Sequence, residues 1–394
     1  MFRRKFFLGV SLLLSLSSAF ARADISDLFE SACPETDLTP VINKDLIPIR
    51  NQGALPLCGY ESTATLLDFY QFKARRSQYP HGLGKEATSA LSLLLAHLKR
   101  GSLDSTQLWS KSTGYAPDAL LAELVAERDS AQLSACSILE FERATLGLGP
   151  FSSSSPADED LGILISGSGI GVPPVINNRM GGVTDTVGAL STLLAEECKG
   201  RTVLDQIAIG NQVSHRVPFR VYRSYMRYHS EYPYTQVSLL TEEPYRVIRE
   251  VLRSGNPVQV GLCGGLFSPQ SKNAQVDCKA SIYSAYESRF REFLGNSGDA
   301  ESAASQAMDA VSDQWGGNTT FHSVIAVGSK KFADGCKILI RNSYGPDCGG
   351  LPGCVQGQGT QWISESDFKT ALIEAVYLVP DGEPRPELKA QEAR

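Results

Sequence analysis

The chain has 394 residues, of which 42% are hydrophobic and 20% are charged, and its formal net charge at pH 7 is −6. This length allows two or three domains, and the hydrophobic fraction is ample for a packed core. The mildly acidic balance, without a basic run or interleaved basic and aromatic residues, argues against nucleic acid as a partner.

The N-terminus has the three parts of a secretory signal. Basic residues at 3–5 precede an apolar run over 6–20, and small residues at 21–23 end the segment. We expect cleavage after Ala23 and export to the periplasm or the outside. A twin-arginine signal is a lesser alternative. The apolar run is too short and serine-rich for a confident membrane span, so no stable anchor is expected after cleavage. Residues 24–46 then form a short N-terminal extension.

The segment Ile47–Tyr70 holds a glutamine, a cysteine and a helix start in one short run. Cys58 comes just before an uninterrupted apolar helical pattern, six residues after Gln52. The positive end of the helix dipole and the unpaired N–H groups of the first turn favour thiolate over thiol. Cys58 is therefore a candidate nucleophile.

A base and a group to orient it are found near the other end of the chain. His322 begins the strand-like run FHSVIAVG, and Asn342 ends a second one, ILIRNSYG. If the two strands are neighbours, the Asn342 carbonyl can hold the imidazole of His322 in one tautomer.

These motifs, in the order Gln, Cys, His, Asn, resemble those of the papain-like cysteine proteases. The resemblance implies that Cys58 is the nucleophile, His322 the general base and acid, and Asn342 the orienting residue. It also implies that Gln52 supplies the side-chain half of an oxyanion hole. The sequence departs from the family at the cysteine, where Gly59 follows in place of an aromatic residue, and at Tyr344, where a Trp is common.

The resemblance implies an α+β, two-lobed fold. A helical lobe (47–235) carries the cysteine on its central helix, and a β-barrel-like lobe (236–380) carries the histidine and asparagine. The family's His and Asn usually follow the Cys by roughly 130–150 residues, and the much longer interval here indicates a mainly helical insertion, at about 80–175. Gly181 and Gly182 are carried over as substrate-backbone contacts, although a plain turn explains them nearly as well. The end of the chain, 381–394, is predicted to be disordered.

There are nine cysteines. If Cys58 is free, an even set remains that can form disulfides in an oxidising compartment. Short glycine-containing loops favour the pairs Cys348–Cys354 and Cys263–Cys278. No C-x-x-C or paired-histidine spacing supports zinc, and neither a metal nor a cofactor is expected.

The sequence therefore predicts an exported cysteine peptidase that acts on peptides or proteins. Two alternatives stay open, and whether a protein inhibitor binds is also left open. One alternative is a papain-fold enzyme with other acyl chemistry, such as transamidation, deamidation or cleavage of peptide crosslinks. The other is a catalytically silent peptide-binding protein.

Overall fold

The structure, a computed structural model, describes part of the chain. The described residues are 33, 35–42, 46–52, 57–74, 76–83, 87–88, 90, 93, 147, 219–225, 227–230, 237–240, 242–267, 272–297, 303, 306–307, 321–380 and 382–386. The predicted signal at 1–23, most of the predicted insertion, and Gly181 and Gly182 lie outside them. The lobe boundaries stay predictions.

Ten strands are described, and every pairing between them is antiparallel. In chain order they are β1 (Thr36–Asp37), β2 (Phe219–Tyr225), β3 (Arg227–Ser230), β4 (Val237–Leu240), β5 (Val258–Cys263), β6 (Phe321–Phe332), β7 (Gly335–Arg341), β8 (Cys354–Val355), β9 (Thr360–Ser364) and β10 (Leu372–Pro380). Eight of them form one sheet in the order β2-β10-β5-β6-β7-β9-β8, with β1 paired to β6, while β3 and β4 pair separately. The sheet is open, whereas the resemblance implies a barrel-like one.

Four α-helices are described. They are α1 (Cys58–Ala74), α2 (Glu242–Arg253), α3 (Lys272–Ser297) and α4 (Glu365–Ala371). Together with the sheet they confirm the mixed α+β class expected from the sequence.

Helix α1 is buried on nearly every side and packs against β5 and β6. Its large side chains Tyr60, Leu66 and Phe69 are at most 1% exposed. Each such side chain contributes about 1.5–3 kcal/mol when it leaves water. The packing therefore fixes the start of the helix, where Cys58 lies, against the middle of the sheet.

Local signals explain the helix ends in the C-terminal half. Gly255 follows α2 with a φ of 76°, and its N–H donates to the Leu252 carbonyl at 2.9 Å. Glycine adopts this left-handed conformation without a Cβ penalty, which stops the helix before β5. Ser364 caps α4 by accepting a hydrogen bond from the Asp367 N–H at 3.1 Å.

The N-terminal extension is attached to the sheet. Strand β1 pairs with β6, and a disulfide joins Cys33 to Cys336 on β7 across 303 residues of sequence. A Cβ on Gly328 would lie 2.5 Å from the Thr36 carbonyl oxygen. Only glycine therefore lets β1 approach this closely.

The described start of the C-terminal tail contacts β2. The guanidinium of Arg220 donates to the Glu383 carbonyl at 2.7 Å, and that of Arg385 lies 5.2 Å from the centre of the Tyr222 ring. These contacts involve the beginning of the segment for which the sequence predicts disorder.

Candidate active site

His322 and Asn342 come together where β6 begins and β7 ends. Because these strands are neighbours in the sheet, their polar ends meet. The His322 Nε2 and the Asn342 Oδ1 are 2.8 Å apart, and the same oxygen accepts the Ser343 N–H at 2.8 Å. An oxygen that receives a backbone donor must be the carbonyl of the amide, so Nε2 of the imidazole carries the proton. Nδ1 is then the basic nitrogen.

Aromatic rings enclose this imidazole. Tyr344 stacks on it at 4.9 Å between ring centres and an interplanar angle of 15°, and Phe267 meets it edge-on at 4.8 Å. The Tyr344 hydroxyl is 3.4 Å from Nδ1. Since a ring-nitrogen lone pair lies in the ring plane, this is a stacking contact rather than a hydrogen bond. Burial lowers the pKa of His322 to about 4, against a smaller rise from the Asn342 hydrogen bond.

Cys58 is the first residue of α1 and only 4% exposed. A backbone hydrogen bond from Ser323, the residue after His322, acts on its thiol in the direction that favours thiolate. The Ser62 hydroxyl donates to the Cys58 carbonyl at 2.8 Å and lies 2.7 Å from the Ser323 hydroxyl, so the first residue of α1 lies beside the start of β6. Cys58 also helps to raise the pKa of Tyr344 to about 12, after the larger effect of burial. The sulfur, the imidazole and the tyrosine ring thus share one site.

Burial raises the pKa of the Cys58 thiol, and the charge of Glu61 adds to the rise. The backbone hydrogen bonds of Ser323, Gly59 and Cys58 itself oppose it. The helix start was expected to favour thiolate, but the cost of placing a charge in a dry site is larger here. With the low pKa of His322, this favours a neutral thiol beside a neutral imidazole.

Gln52 reaches the site on a short strap, residues 50–52, that lies along residues 343–345. Asn51 and Tyr344 form an isolated β-bridge, and the Gln52 N–H donates to the Ser343 carbonyl at 2.9 Å. The Gln52 Oε1 accepts the Ser343 hydroxyl at 2.5 Å. This bond identifies the oxygen of the side-chain amide, so Nε2 is its donor end.

Buried charges anchor the strap. The Arg50 guanidinium lies 2.5 Å from the Asp68 carboxylate and 3.5 Å from that of Glu61, and its Nε donates to the Thr65 hydroxyl at 3.0 Å. Asp68 is fully buried, and burial raises the pKa of its carboxyl, partly offset by the nearby Arg50 charge. The strap and α1 are therefore held together by a buried ion pair.

A second arginine fixes the chain just before the strap. The Arg341 guanidinium donates to the carbonyls of Ile42 and of Ile47, the latter at 2.7 Å. Burial lowers the pKa of Arg341 to about 10. Arg341 directly precedes Asn342, so neighbouring residues position the orienting amide and hold the chain that leads into the strap. Sequence reasoning missed both arginines, since isolated arginines in a segment of mixed polarity carry no distinctive pattern.

The disulfides agree in part with expectation. Cys348–Cys354 is present, and Cys33–Cys336 was not foreseen. Cys263 is also disulfide-bonded, and the side chain of Cys278, its predicted partner, lies outside the described residues. Among the described cysteines, Cys58 is the free one.

Two further searches gave negative results within the described part of the chain. No group of three or more potential ligands among His, Cys, Asp and Glu is placed to hold a metal ion. No described helix is long and apolar enough to cross a membrane.

Comparison with known proteins leaves the family open. No protein-family model matches the chain, and no curated protein does. Among solved structures, the selenomethionine crystal structure of pepw from Lactobacillus rhamnosis HN001 matches with a TM-score of 0.32 and 11% identity, over 92% of this chain and 85% of that chain. A match this weak carries no argument about fold or function.

Proposed function

We propose that this protein is an exported cysteine peptidase of papain-like type, with Cys58 as nucleophile. The observation that carries the proposal is the bond between the His322 Nε2 and the Asn342 Oδ1, at the start of the strand against which Ser62 holds the carbonyl of the buried Cys58. An imidazole held in one tautomer, with its other nitrogen available as a base beside a thiol, is the arrangement that nucleophilic catalysis requires. The disulfides are consistent with export, since such bonds persist in oxidising compartments.

The reaction begins from the neutral pair. As the Cys58 sulfur attacks a peptide carbonyl, its proton passes to Nδ1 of His322, and a tetrahedral oxyanion forms. The imidazolium gives that proton to the leaving amine as the C–N bond breaks, which leaves a thioester on Cys58. His322 then removes a proton from water, and hydrolysis releases the acid and restores the thiol.

Gln52 is the proposed side-chain donor to the oxyanion, together with the N–H of Cys58. Its amide oxygen accepts from the Ser343 hydroxyl, so its nitrogen is the donor end of the amide. Oxyanion donors are effective because they are oriented before charge develops. Ser343 would then act through Gln52, by fixing its orientation.

Peptidase activity should be tested on the purified mature chain with labelled protein and peptide-library substrates. We expect Cys58→Ala to abolish turnover and Gln52→Ala to lower kcat by about 10²–10³. Cys58-dependent turnover of amides or crosslinked peptides without general proteolysis would favour the other acyl chemistry. Substrate binding without turnover in the unaltered chain would refute the peptidase and leave a silent binding protein.

A further inference from the structure

A buried polar cluster lies between α1 and the sheet, behind Cys58 and His322. Its centre is Gln259 on β5, which is fully buried. The Gln259 Nε2 lies 2.7 Å from the Ser62 hydroxyl, 3.1 Å from each of the Thr63 and Ser323 hydroxyls, and 3.4 Å from the Gly59 carbonyl. One side chain thus touches the first two turns of α1 and the strand that carries His322.

The donors and acceptors of the cluster can be assigned. The Ser62 hydroxyl donates to the Cys58 carbonyl at 2.8 Å, so its oxygen is free to accept. It then accepts from Gln259 and from the Ser323 hydroxyl, which is 2.7 Å away. The Thr63 hydroxyl donates to the Gln259 Oε1 at 3.3 Å. A buried network in which each member has a partner resists rearrangement, because any shift leaves a group unpaired at a cost of about 1–3 kcal/mol.

The cluster links the two reacting side chains through their immediate neighbours. On one side, Ser62 holds the carbonyl of Cys58 itself. On the other, Ser323 follows His322 directly, and its hydroxyl lies 2.7 Å from that of Ser62 and 3.1 Å from the Gln259 Nε2. Apolar packing between α1 and the sheet would tolerate small slides of the helix, whereas hydrogen bonds fix both distance and direction.

We propose that Gln259 is a positioning residue, which sets the start of α1 against β6 so that the Cys58 sulfur and the His322 imidazole stay in register for proton transfer. This inference rests on the proposed function, since it assumes that the two side chains react together. Misplacing reacting groups by about 1 Å can cost about 100-fold in rate. The expected loss therefore falls on kcat, with KM changed far less.

The test measures how much His322→Ala changes the rate at which iodoacetamide alkylates Cys58 at pH 6. In otherwise unaltered protein, His322→Ala should slow alkylation about tenfold, because proton transfer to His322 is then the main source of thiolate. In a Gln259→Leu background, which keeps a similar volume without hydrogen bonds, His322→Ala should change the rate less than about twofold. Thr63→Val is the matched control. It removes one partner of Gln259 but keeps the bonds from Gln259 to Ser62 and Ser323, so the tenfold effect should persist.

The outcomes separate the two proposals. If His322→Ala has no effect in the otherwise unaltered chain, the proposed function fails and there is nothing for Gln259 to position. If the effect is equal with and without Gln259→Leu, the peptidase proposal stands and the positioning role is refuted. Should Gln259→Leu not fold, Ser323→Ala removes only the hydroxyl link, and full retention of the His322 effect there would overturn the inference as well.

Discussion

The helix start favours a thiolate at Cys58, whereas burial favours the neutral thiol. The two effects can be compared by measuring how the alkylation rate of Cys58 depends on pH. A free thiol with a pKa of 9.0 is only about 1% ionised at pH 7 and about 0.1% at pH 6, and burial raises the pKa of Cys58 above 9.0. Alkylation should therefore be slow at neutral pH and rise about tenfold per pH unit in the alkaline range.

Proton transfer within the pair adds a second source of thiolate. Because burial lowers the pKa of His322 to about 4 and raises the pKa of the Cys58 thiol, the imidazolium–thiolate form is a small minority of the pair. Attraction between the two opposite charges increases the share of this form, since two unit charges 4 Å apart near a protein surface attract by about 4 kcal/mol. This form contains the same number of protons as the neutral pair, so it contributes a low plateau that does not vary with pH.

The assay is iodoacetamide labelling followed by mass spectrometry of the Cys58 peptide from pH 5 to 10.5, with Cys58→Ala as the blank for other thiols. We expect the rate at pH 6 to be less than about a tenth of the alkaline limit. A rate at pH 6 within tenfold of that limit would show that the ion pair is the ground state. The argument that burial outweighs the helix dipole would then be wrong, although the peptidase proposal would gain support.

Three further predictions concern the strap and the N-terminal extension. Gly359→Ala should destabilise the fold by more than Gly357→Ala. Both glycines have a positive φ, but of the two only Gly359 has other atoms close to the position of an added Cβ. That Cβ would lie 2.7 Å from an isoleucine methyl of the segment leading into the strap and 3.0 Å from a carbonyl oxygen. The difference in urea midpoints measures this, and equal midpoints would contradict the steric argument. Asp68→Ala should cost about 3–5 kcal/mol, because it removes the nearer of the two carboxylates that pair with the buried Arg50 guanidinium; thermal unfolding unchanged within 2 °C would refute it. Breaking the Cys33–Cys336 disulfide with a double serine variant should cost about 2–5 kcal/mol, and an unchanged free energy of unfolding would show that this disulfide adds no stability.

The sequence was sufficient for features that depend on local pattern. The apolar run after Cys58 predicted α1, and the two apolar runs around His322 and Asn342 predicted two strands, which the structure shows to be neighbours. Residue type and order alone also brought these three residues forward as a candidate site. These features could be predicted because a helix start, a strand and a disulfide between cysteines six residues apart each depend on residues that are close together in the sequence.

Tertiary structure decided what depends on residues far apart in the chain. The pairing of Cys33 with Cys336, the buried Arg50–Asp68 pair and the Gln259 cluster join segments whose local sequence gives no sign of a partner. The ionisation of the site belongs to the same class. A helix start favours thiolate through its nearest N–H groups, but the dry surroundings that favour the neutral thiol are made by packing α1 against β5 and β6, and desolvation of a buried charge outweighs the dipole.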